Sequence, residues 1–303
     1  MANDFIIVGG GPSGCAAALF AARAKRKVAL IQKGITPLMR SFQWLLPGLP
    51  QELGPFEWLS HMRSQIANIG FEIVDEEVTQ AALGASVKQI TTASGKMLEA
   101  PVIILATGCY DRHGFIEGES TFVGHGVFYN AWQDGPLCEG ETVVVEGKNE
   151  EAMREVLYLS RFAKKIHFVI PALKPEGNEK IIHALHNNSK IEILPSASIK
   201  KISGEEKLES VSVLVAGEEK TIPAKCVFLY ARTSKPQYEF LKGTIEISEE
   251  GAVMVDDRFM TSVPGVFACG DMLAGVPQLQ FVSAAQGLVA AMHADRHFST
   301  LNL

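Results

Sequence analysis

Short runs of consecutive apolar residues recur along the chain, and two of them are each followed by a glycine-containing turn and a helix-forming segment. Residues 5–8 precede an alanine-rich segment at 15–26, and residues 142–145 precede a second helix-forming segment at 151–162. A short unbroken apolar run bounded by turn residues is typical of a strand buried on both faces, as in parallel sheets. The pattern therefore predicts an α/β fold with two Rossmann-like units.

Further apolar or alternating runs predict additional strands around both units. In the first unit they fall at 28–31, within 102–108 and within 265–271. In the second unit they fall at 166–170, 190–195, 197–202, 208–215 and 220–229. The later runs are separated by Gly-Glu-Glu turns, which favours a group of short strands beside the second parallel sheet.

A glycine-rich loop connects the first predicted strand to the first predicted helix. It runs Gly9-Gly10-Gly11-Pro12-Ser13-Gly14. In the strand-turn-helix context, the first glycine permits the tight turn, the second lets a pyrophosphate approach the backbone, and the third lets helix and strand pack closely. The helix N-terminus offers N–H groups to phosphate oxygens. We expect Gly9, Gly11, Pro12, Ser13 and Gly14 to bind a dinucleotide.

The end of the second predicted strand departs from the usual dinucleotide-binding pattern. An acidic residue is expected there to accept the ribose hydroxyls, but the chain has Gln32 followed by Lys33. An amide can both donate and accept hydrogen bonds, whereas a lysine can only donate. We therefore expect Gln32 and Lys33 to flank the ribose with altered contacts.

The corresponding loop of the second unit has lost its glycine pattern. It reads Gly147-Lys148-Asn149-Glu150-Glu151-Ala152. The side chains at 148 and 149 would crowd a pyrophosphate, and the two carboxylates would repel it, although Lys148 offsets part of that charge. Acidic residues also favour the first turn of a helix for purely structural reasons. The second unit is expected to fold but to bind a nicotinamide dinucleotide poorly.

Two later stretches, Ala106-Thr107-Gly108 and Gly270-Asp271, complete a set of three with the first loop. In order and spacing this set resembles the FAD fingerprints of two-dinucleotide-binding flavoproteins, and is most similar to the low-molecular-weight thioredoxin reductase family. The resemblance implies one FAD per chain, with Thr107, Gly108, Gly270 and Asp271 beside it. It also implies a helix that starts near the flavin ring, with contacts from Gln280, Phe281 and Ala284.

The same resemblance implies how the chain is divided. Residues 1–114 and 246–303 are expected to form a discontinuous FAD-binding domain, and residues 115–245 a degenerate NAD(P)-binding-like domain inserted in it. It further implies a homodimer formed through the FAD domain.

Two sites that define the chemistry of that family are altered. Asn130 and Gln133 stand where the family has the two cysteines of its CxxC motif, and neither amide can form a thiolate or a disulfide. Asn130, Trp132 and Gln133 remain candidates for residues near the flavin. Trp132 would either stack on the flavin ring or fill volume at a domain junction.

The nicotinamide pocket has further changes. The strand at 166–170 is followed by Pro171 without the basic pair that the family uses for the NADPH 2′-phosphate, and residues 231–236 replace its glycine-histidine turn. The pocket is expected to be empty or to hold another group, such as a second nucleotide or flavin. Its candidate contacts are Gly147, Lys148, Asn149, Tyr230, Arg232 and Lys235.

Composition narrows the class of protein. The chain has 303 residues, 47% hydrophobic residues and a net charge of −6. This charge argues against nonspecific nucleic-acid binding, and no apolar run is long enough to span a bilayer. The five cysteines are far apart in sequence, which is typical of a reduced, cytoplasmic protein. No metal site is predicted.

Three functions are consistent with these residues. The first is an FAD-dependent oxidoreductase independent of NADPH and of an internal dithiol, with ferredoxin or another non-nicotinamide donor. The second is a non-catalytic flavin-binding redox sensor. The third is an NAD(P)H-dependent ferredoxin reductase-like enzyme with a modified nucleotide site, and the altered loop at 147–152 counts against it.

Overall fold

The computed structural model describes residues 3–33, 55–110, 116–230, 235–249, 251–275 and 279–301, and it confirms the α/β fold class. The chain divides into two compact units. The described residues of the first lie within Met1–Met39, Leu53–Tyr110 and Ser234–Leu303, and those of the second lie within Asp111–Thr233. By this division residues 235–245 belong to the first unit, whereas the sequence assigned them to the inserted domain.

Within the described residues the strands follow one another along the chain as β1 Phe5–Val8, β2 Val28–Gln32, β3 Glu72–Asp75, β4 Val78–Ala82, β5 Lys88–Thr92, β6 Met97–Ala100, β7 Val102–Leu105, β8 Cys109–Tyr110, β9 Val127–Phe128, β10 Thr142–Glu146, β11 Lys165–Ile170, β12 Ile191–Pro195, β13 Ala197–Gly204, β14 Leu208–Val215, β15 Glu218–Pro223, β16 Cys226–Leu229, β17 Lys235–Pro236 and β18 Val266–Ala268.

The α-helices of the same residues are α1 Pro12–Arg23, α2 Pro55–Ala67, α3 Ala131–Asp134, α4 Glu150–Leu159, α5 Glu179–His186 and α6 Gln280–Leu301, with short 3-10 turns at Glu119–Thr121, Gly135–Cys138 and Glu239–Leu241. None of these helices combines the length and the apolar character needed to cross a bilayer.

The first unit is built on a parallel sheet in the order β18-β7-β1-β2-β3. All four residues of β1 and of β7 are buried, as expected for central strands covered on both faces. α1 and α6 cross closely, because a Cβ at Gly287 would lie only 2.0 Å from the backbone oxygen of Ser13. β4, β5 and β6 form a separate antiparallel sheet.

The second unit repeats this plan with a parallel sheet in the order β12-β11-β10-β16-β9. Its core packs the apolar face of α4 against β10, β11 and β16, with Met153, Val156 and Leu159 fully buried. β13, β14 and β15 form an antiparallel sheet in the same unit.

The single strand predicted at 220–229 is wrong, because the structure has two strands there. β15 pairs antiparallel with β14, and β16 pairs parallel with β10. The chain passes from one sheet to the other at Ala224 and Lys225, a change of partner that a continuous apolar pattern does not reveal. The first helix also starts earlier than the predicted 15–26, at Pro12, where the fixed φ of proline suits the first helical position.

Candidate functional site

The three stretches predicted to bind FAD meet at one edge of the first sheet. Because β1, β7 and β18 are parallel neighbours, their carboxyl ends bring Gly9, Ala106 and Gly270 together. Gly9 has φ +119°, and a Cβ there would lie 2.1 Å from the Ala106 oxygen. In open α/β sheets, ligands bind in the crevice outside this edge.

The loop at 9–14 has the geometry of a phosphate-binding turn. Gly11 precedes α1, and no described atom lies within 4 Å of the position that its Cβ would occupy. Among the described residues no side chain caps the N-terminus of α1 at Gly11. The first-turn N–H groups and the positive end of the helix dipole therefore face an open space at Gly11. Ser13, predicted to bind the cofactor, is buried against Gly270, where a Cβ would lie 2.6 Å from the Ser13 Oγ.

Gln32 presents an unsatisfied acceptor beside this loop. Its Nε2 donates to Asp75 Oδ1 at 2.6 Å, which fixes the amide orientation. Its Oε1 is buried and has no hydrogen-bond partner among the described residues, and a Cβ at Gly10 would lie 2.3 Å from it. Lys33 instead pairs with Glu77, with 2.6 Å between Nζ and Oε2. Gln32 is therefore oriented as an acceptor, while Lys33 is engaged at the surface.

Asp271 is held by contacts from two directions. Ser283 Oγ in the first turn of α6 donates to Asp271 Oδ1 at 2.5 Å, and the Cys109 thiol donates to the Asp271 backbone oxygen at 2.9 Å. The N–H of Gly270 donates to Gln286 Oε1 at 2.9 Å. These bonds fix the Gly270-Asp271 turn against the start of α6.

Thr107 and Gly108 form the middle turn of the three. Thr107 Oγ1 donates to the Gln237 oxygen at 2.6 Å, and the Gln237 N–H donates to the Gly108 oxygen at 3.2 Å. Gly108 has φ +63°, in the left-handed region that favours glycine. The turn is therefore tied to the segment that follows β17.

The predicted contacts on α6 lie in its first turns. Gln280 is the first residue of the helix, and Ala284 is half-buried. Phe281 is 54% exposed, so its ring is not enclosed by the described part of the chain.

These features fit the ADP half of FAD. An open approach at Gly11 and an uncapped helix N-terminus suit a pyrophosphate, and the orphaned Gln32 acceptor suits a ribose hydroxyl.

The second unit gathers its altered sites at the matching edge of its own sheet. Asn130 follows β9, Gly147 follows β10 and Tyr230 follows β16. Asn130 caps α3, since its Oδ1 accepts from the Gln133 N–H at 3.1 Å. Asn130 and Gln133 are thus both part of a short, ordered turn.

Trp132 is a surface residue of this unit. It is 43% exposed, and its ring packs on that of Tyr158 with 4.4 Å between centroids. Tyr158 in turn contacts Phe162 edge-on, and the Arg161 guanidinium lies over both of these rings. Trp132 therefore belongs to an aromatic cluster on α4 and the turn after it.

The loop at 147–152 closes on itself. Asn149 caps α4, because its Oδ1 accepts from the Ala152 N–H at 3.0 Å. Lys148 pairs with Glu176 at 3.0 Å, and the Glu176 N–H donates to the Lys148 oxygen at 2.7 Å. The Ala152 N–H is a backbone donor of the kind that faces a phosphate in an intact loop, and here it is hydrogen-bonded to Asn149.

A second set of contacts covers the loop from the segment that precedes α5. Glu150 Oε1 pairs with Arg154 at 2.5 Å, and Glu150 Oε2 accepts from the Asn178 N–H at 3.1 Å. Gly177 approaches so closely that a Cβ on it would lie 2.6 Å from the Met153 Cε and 3.0 Å from the Glu150 Cβ. The start of α4 is therefore packed against this segment.

A buried carboxylate network, missed in the sequence, lies beneath the loop. Glu155 Oε2 accepts from the Tyr230 hydroxyl and from the Ala131 N–H. Burial raises the pKa of the Glu155 carboxyl to about 7, and it also raises the pKa of Asp134 to about 7. A signal was present, because Glu155 occupies the same helical face as the apolar positions 152, 156 and 159.

These contacts bear on the expected second cofactor. Tyr230 and Lys148, two of its predicted contacts, make interactions within the second unit. Arg232 lies outside the described residues, as does the side chain of Lys235, whose backbone is in β17.

Two cysteines of the first unit are held as thiols. Cys15 and Cys269 are buried beside the FAD-type loops, where burial raises the pKa of Cys15 to about 11 and that of Cys269 to about 12. A thiol rather than a thiolate is a poor nucleophile. In the second unit the thiols of Cys138 and Cys226 contact each other in the core.

Comparison with known proteins places this geometry in a family. The model of the pyridine nucleotide-disulphide oxidoreductase family matches residues 3–287. A thioredoxin reductase of Aquifex aeolicus is 32% identical over 305 residues, covering 98% of this chain and 93% of the relative. A thioredoxin reductase of Treponema pallidum is 32% identical over 304 residues, covering 98% of each chain.

A solved structure agrees with these relatives. The thioredoxin reductase from Giardia duodenalis superposes with a TM-score of 0.93 at 27% identity, covering 98% of this chain and 99% of that one. The resemblance inferred from the sequence is thereby confirmed. The chain belongs to the pyridine nucleotide-disulphide oxidoreductase family, as a thioredoxin reductase-like, flavin-dependent oxidoreductase.

Proposed function

We propose that this protein is a cytoplasmic FAD oxidoreductase that takes electrons from ferredoxin or another non-nicotinamide donor and uses no dithiol at positions 130 and 133. The closed loop at 147–152 is the observation that carries the proposal. The Ala152 N–H donates to Asn149, Lys148 pairs with Glu176, and Glu150 accepts from the Asn178 N–H.

The cost of opening that loop supports independence from NADPH. A pyrophosphate would have to displace the Asn149 cap, worth about 1 kcal/mol, and meet the Glu150 carboxylate. It would also have to part the segment at Glu176 to Asn178 from the start of α4. An intact dinucleotide loop requires none of these changes, because its N–H groups already face the ligand.

The ordered turn at Asn130 supports the absence of thiol-disulfide exchange. Exchange requires a thiolate that attacks a disulfide sulfur, and amides at both positions provide none. Asn130 is committed to capping α3, which gives the residue a structural role.

FAD supplies reversible one- and two-electron transfer when it is bound. On this chain the loop at 9–14 would hold the pyrophosphate, and Gln32 would accept from a ribose hydroxyl. Thr107, Gly108, Gly270 and Asp271 would line the same edge, with Asp271 oriented by Ser283. Gln280 and Ala284 would extend the site along the start of α6.

Anaerobic reduction tests the choice of donor. Purified protein in stoichiometric NADPH or NADH is expected to keep its visible flavin absorbance, and to lose it with reduced ferredoxin or dithionite. A variant with Asn130→Cys and Gln133→Cys keeps the loop at 147–152 and is expected to behave in the same way toward NADPH. Rapid loss of colour with either nicotinamide would refute the proposal.

Thioredoxin reduction is the second candidate, because the relatives cited above are thioredoxin reductases. It predicts NADPH-dependent formation of thioredoxin thiols by the unmodified protein, which the proposal excludes.

Steady turnover from reduced ferredoxin to an artificial acceptor would separate an enzyme from a flavin-binding sensor. One flavin per chain is expected, and a ratio near two would support an occupied second pocket.

We also propose a homodimer formed through the first unit. α6 carries a row of exposed apolar side chains at helical spacing, Phe281, Leu288, Val289 and Met292. A contiguous apolar row on a soluble protein is a typical protein–protein contact.

A further inference from the structure

Three buried polar atoms of the first unit have no hydrogen-bond partner among the described residues. They are Gln32 Oε1 and two nitrogens of Arg63, Nε and Nη2. Buried polar groups in folded proteins are almost always paired, and a buried charged donor is costly to leave unpaired. The positions of these atoms therefore indicate a ligand that the described residues do not supply.

Gln32 adjoins the turn at Gly10, and Arg63 lies on the helix that packs beside α1. Gln32 Oε1 occupies the space where a Gly10 Cβ would point. Arg63 lies on α2, which packs against α1, and its charge acts on the thiol of Cys15 in the first turns of α1. That thiol in turn donates to the Gly10 oxygen at 3.5 Å. One unpartnered group thus lies at the phosphate-binding turn, and the other lies on α2 beside the helix that this turn begins.

The chemistry of the two groups specifies the ligand. Nε and Nη2 form one edge of the guanidinium, the edge that donates two parallel hydrogen bonds to a phosphate. Gln32 Oε1 can only accept, so it needs a hydroxyl or N–H donor. A sugar diphosphate carries both, with phosphate oxygens for Arg63 and ribose hydroxyls for Gln32.

We propose that Arg63 is a binding residue for the pyrophosphate of FAD, with Gln32 accepting from the adenosine ribose. This inference rests on the proposed FAD site and adds to it a cation from α2, outside the glycine loop. Arg63 compensates for a loop that has no lysine or arginine of its own between Gly9 and Gly14.

Flavin binding to the apoprotein tests this assignment. Arg63→Ala is expected to raise the Kd for FAD about tenfold to a hundredfold, the usual effect of losing charge-assisted hydrogen bonds. Arg63→Lys keeps the charge but loses the two-pronged edge, and a loss of about tenfold is expected. Riboflavin, which lacks the pyrophosphate, should bind wild type and both variants equally.

The matched control is Arg23→Ala, which removes an exposed cation from the last turn of α1 in the same unit. It should leave the Kd for FAD unchanged. An unchanged Kd in Arg63→Ala, or an equal loss for FAD and riboflavin, would overturn the assignment. If Arg63→Ala does not fold, Arg63→Lys gives the same comparison. Failure of the wild-type apoprotein to bind FAD would instead refute the proposed function together with this inference.

Discussion

At the scale of single residues, the most consequential feature is a pair of buried carboxyls under the altered nucleotide loop. Glu155 and Asp134 are each at most 3% exposed, and neither has a basic side chain among its hydrogen-bond partners in the described structure. Burial without a cation favours the protonated form. Both groups therefore link the stability of the second unit to pH.

The sign of this linkage follows from the raised pKa values. The pKa of Glu155 rises from 4.5 in its usual state to about 7 in the folded protein. The folded state therefore binds more protons than the unfolded state within that interval, and its stability falls as pH rises through it. Glu155→Gln should remove this pH-dependent contribution to the unfolding free energy, which is on the order of 3 kcal/mol.

Urea unfolding of wild type and Glu155→Gln between pH 5 and pH 8 measures the effect. The difference in unfolding free energy should shift in favour of the variant as pH rises and level off above about pH 7. Glu206→Gln, at an exposed turn, is the control and should follow wild type. Parallel curves for wild type and Glu155→Gln would show that Glu155 is ionised throughout.

At the scale of elements, the start of α4 is closed by a side chain of its own loop. Asn149 caps the helix in place of a glycine, so the strand-turn-helix unit folds with its own donors satisfied. The sequence predicted the helix and the loss of the glycine pattern. It did not predict that residues 176–178 cover the loop, because that contact joins segments distant in sequence.

The cap makes a specific prediction for stability. Asn149→Ala should lower the unfolding free energy by about 1 kcal/mol, because the Ala152 N–H loses its acceptor. Asn149→Gly should cost only a few tenths of a kcal/mol, since glycine is a tolerated cap. Urea titrations of the three proteins at one pH compare these values. An unfolding free energy of Asn149→Ala equal to that of wild type would mean that the Asn149 side chain does not act as a cap.

At the scale of the whole molecule, two units with the same parallel plan differ in what their sheet edges offer. The first leaves an acceptor, a guanidinium and an uncapped helix start without partners among the described residues. In the second unit, the N–H group of Ala152 at the start of α4 donates to Asn149, and Lys148 pairs with Glu176. This contrast is the physical basis for expecting one bound dinucleotide per chain.

Assembly is the prediction that belongs to this scale. Leu288→Asp together with Met292→Asp places two charges in the apolar row of α6 and should convert a dimer to a monomer in analytical ultracentrifugation. Leu173→Asp, at a residue 87% exposed in the second unit, is the control and should sediment as wild type. A wild-type protein that sediments as a monomer at all concentrations would contradict the proposed dimer.

The fold class and the family could be read from the sequence alone, and so could the glycine turns that the first sheet brings together. Apolar runs and glycine turns are local patterns, and the strand order that joins Gly9, Ala106 and Gly270 follows from parallel pairing. The departures from the family pattern at Asn130, Gln133 and Lys148 could also be read from the sequence, because each concerns the chemistry of one side chain.

Tertiary structure alone decided which polar groups are satisfied. Gln32 is turned by Asp75, Glu155 is bound by Tyr230, and Lys148 is paired with Glu176, each across at least 28 residues of sequence. Arg63 gave no sequence signal, since its importance lies in the absence of a partner among the described residues. Whether a donor or acceptor already has a hydrogen-bond partner depends on residues distant in sequence. The positions of those residues are fixed only when the chain has folded.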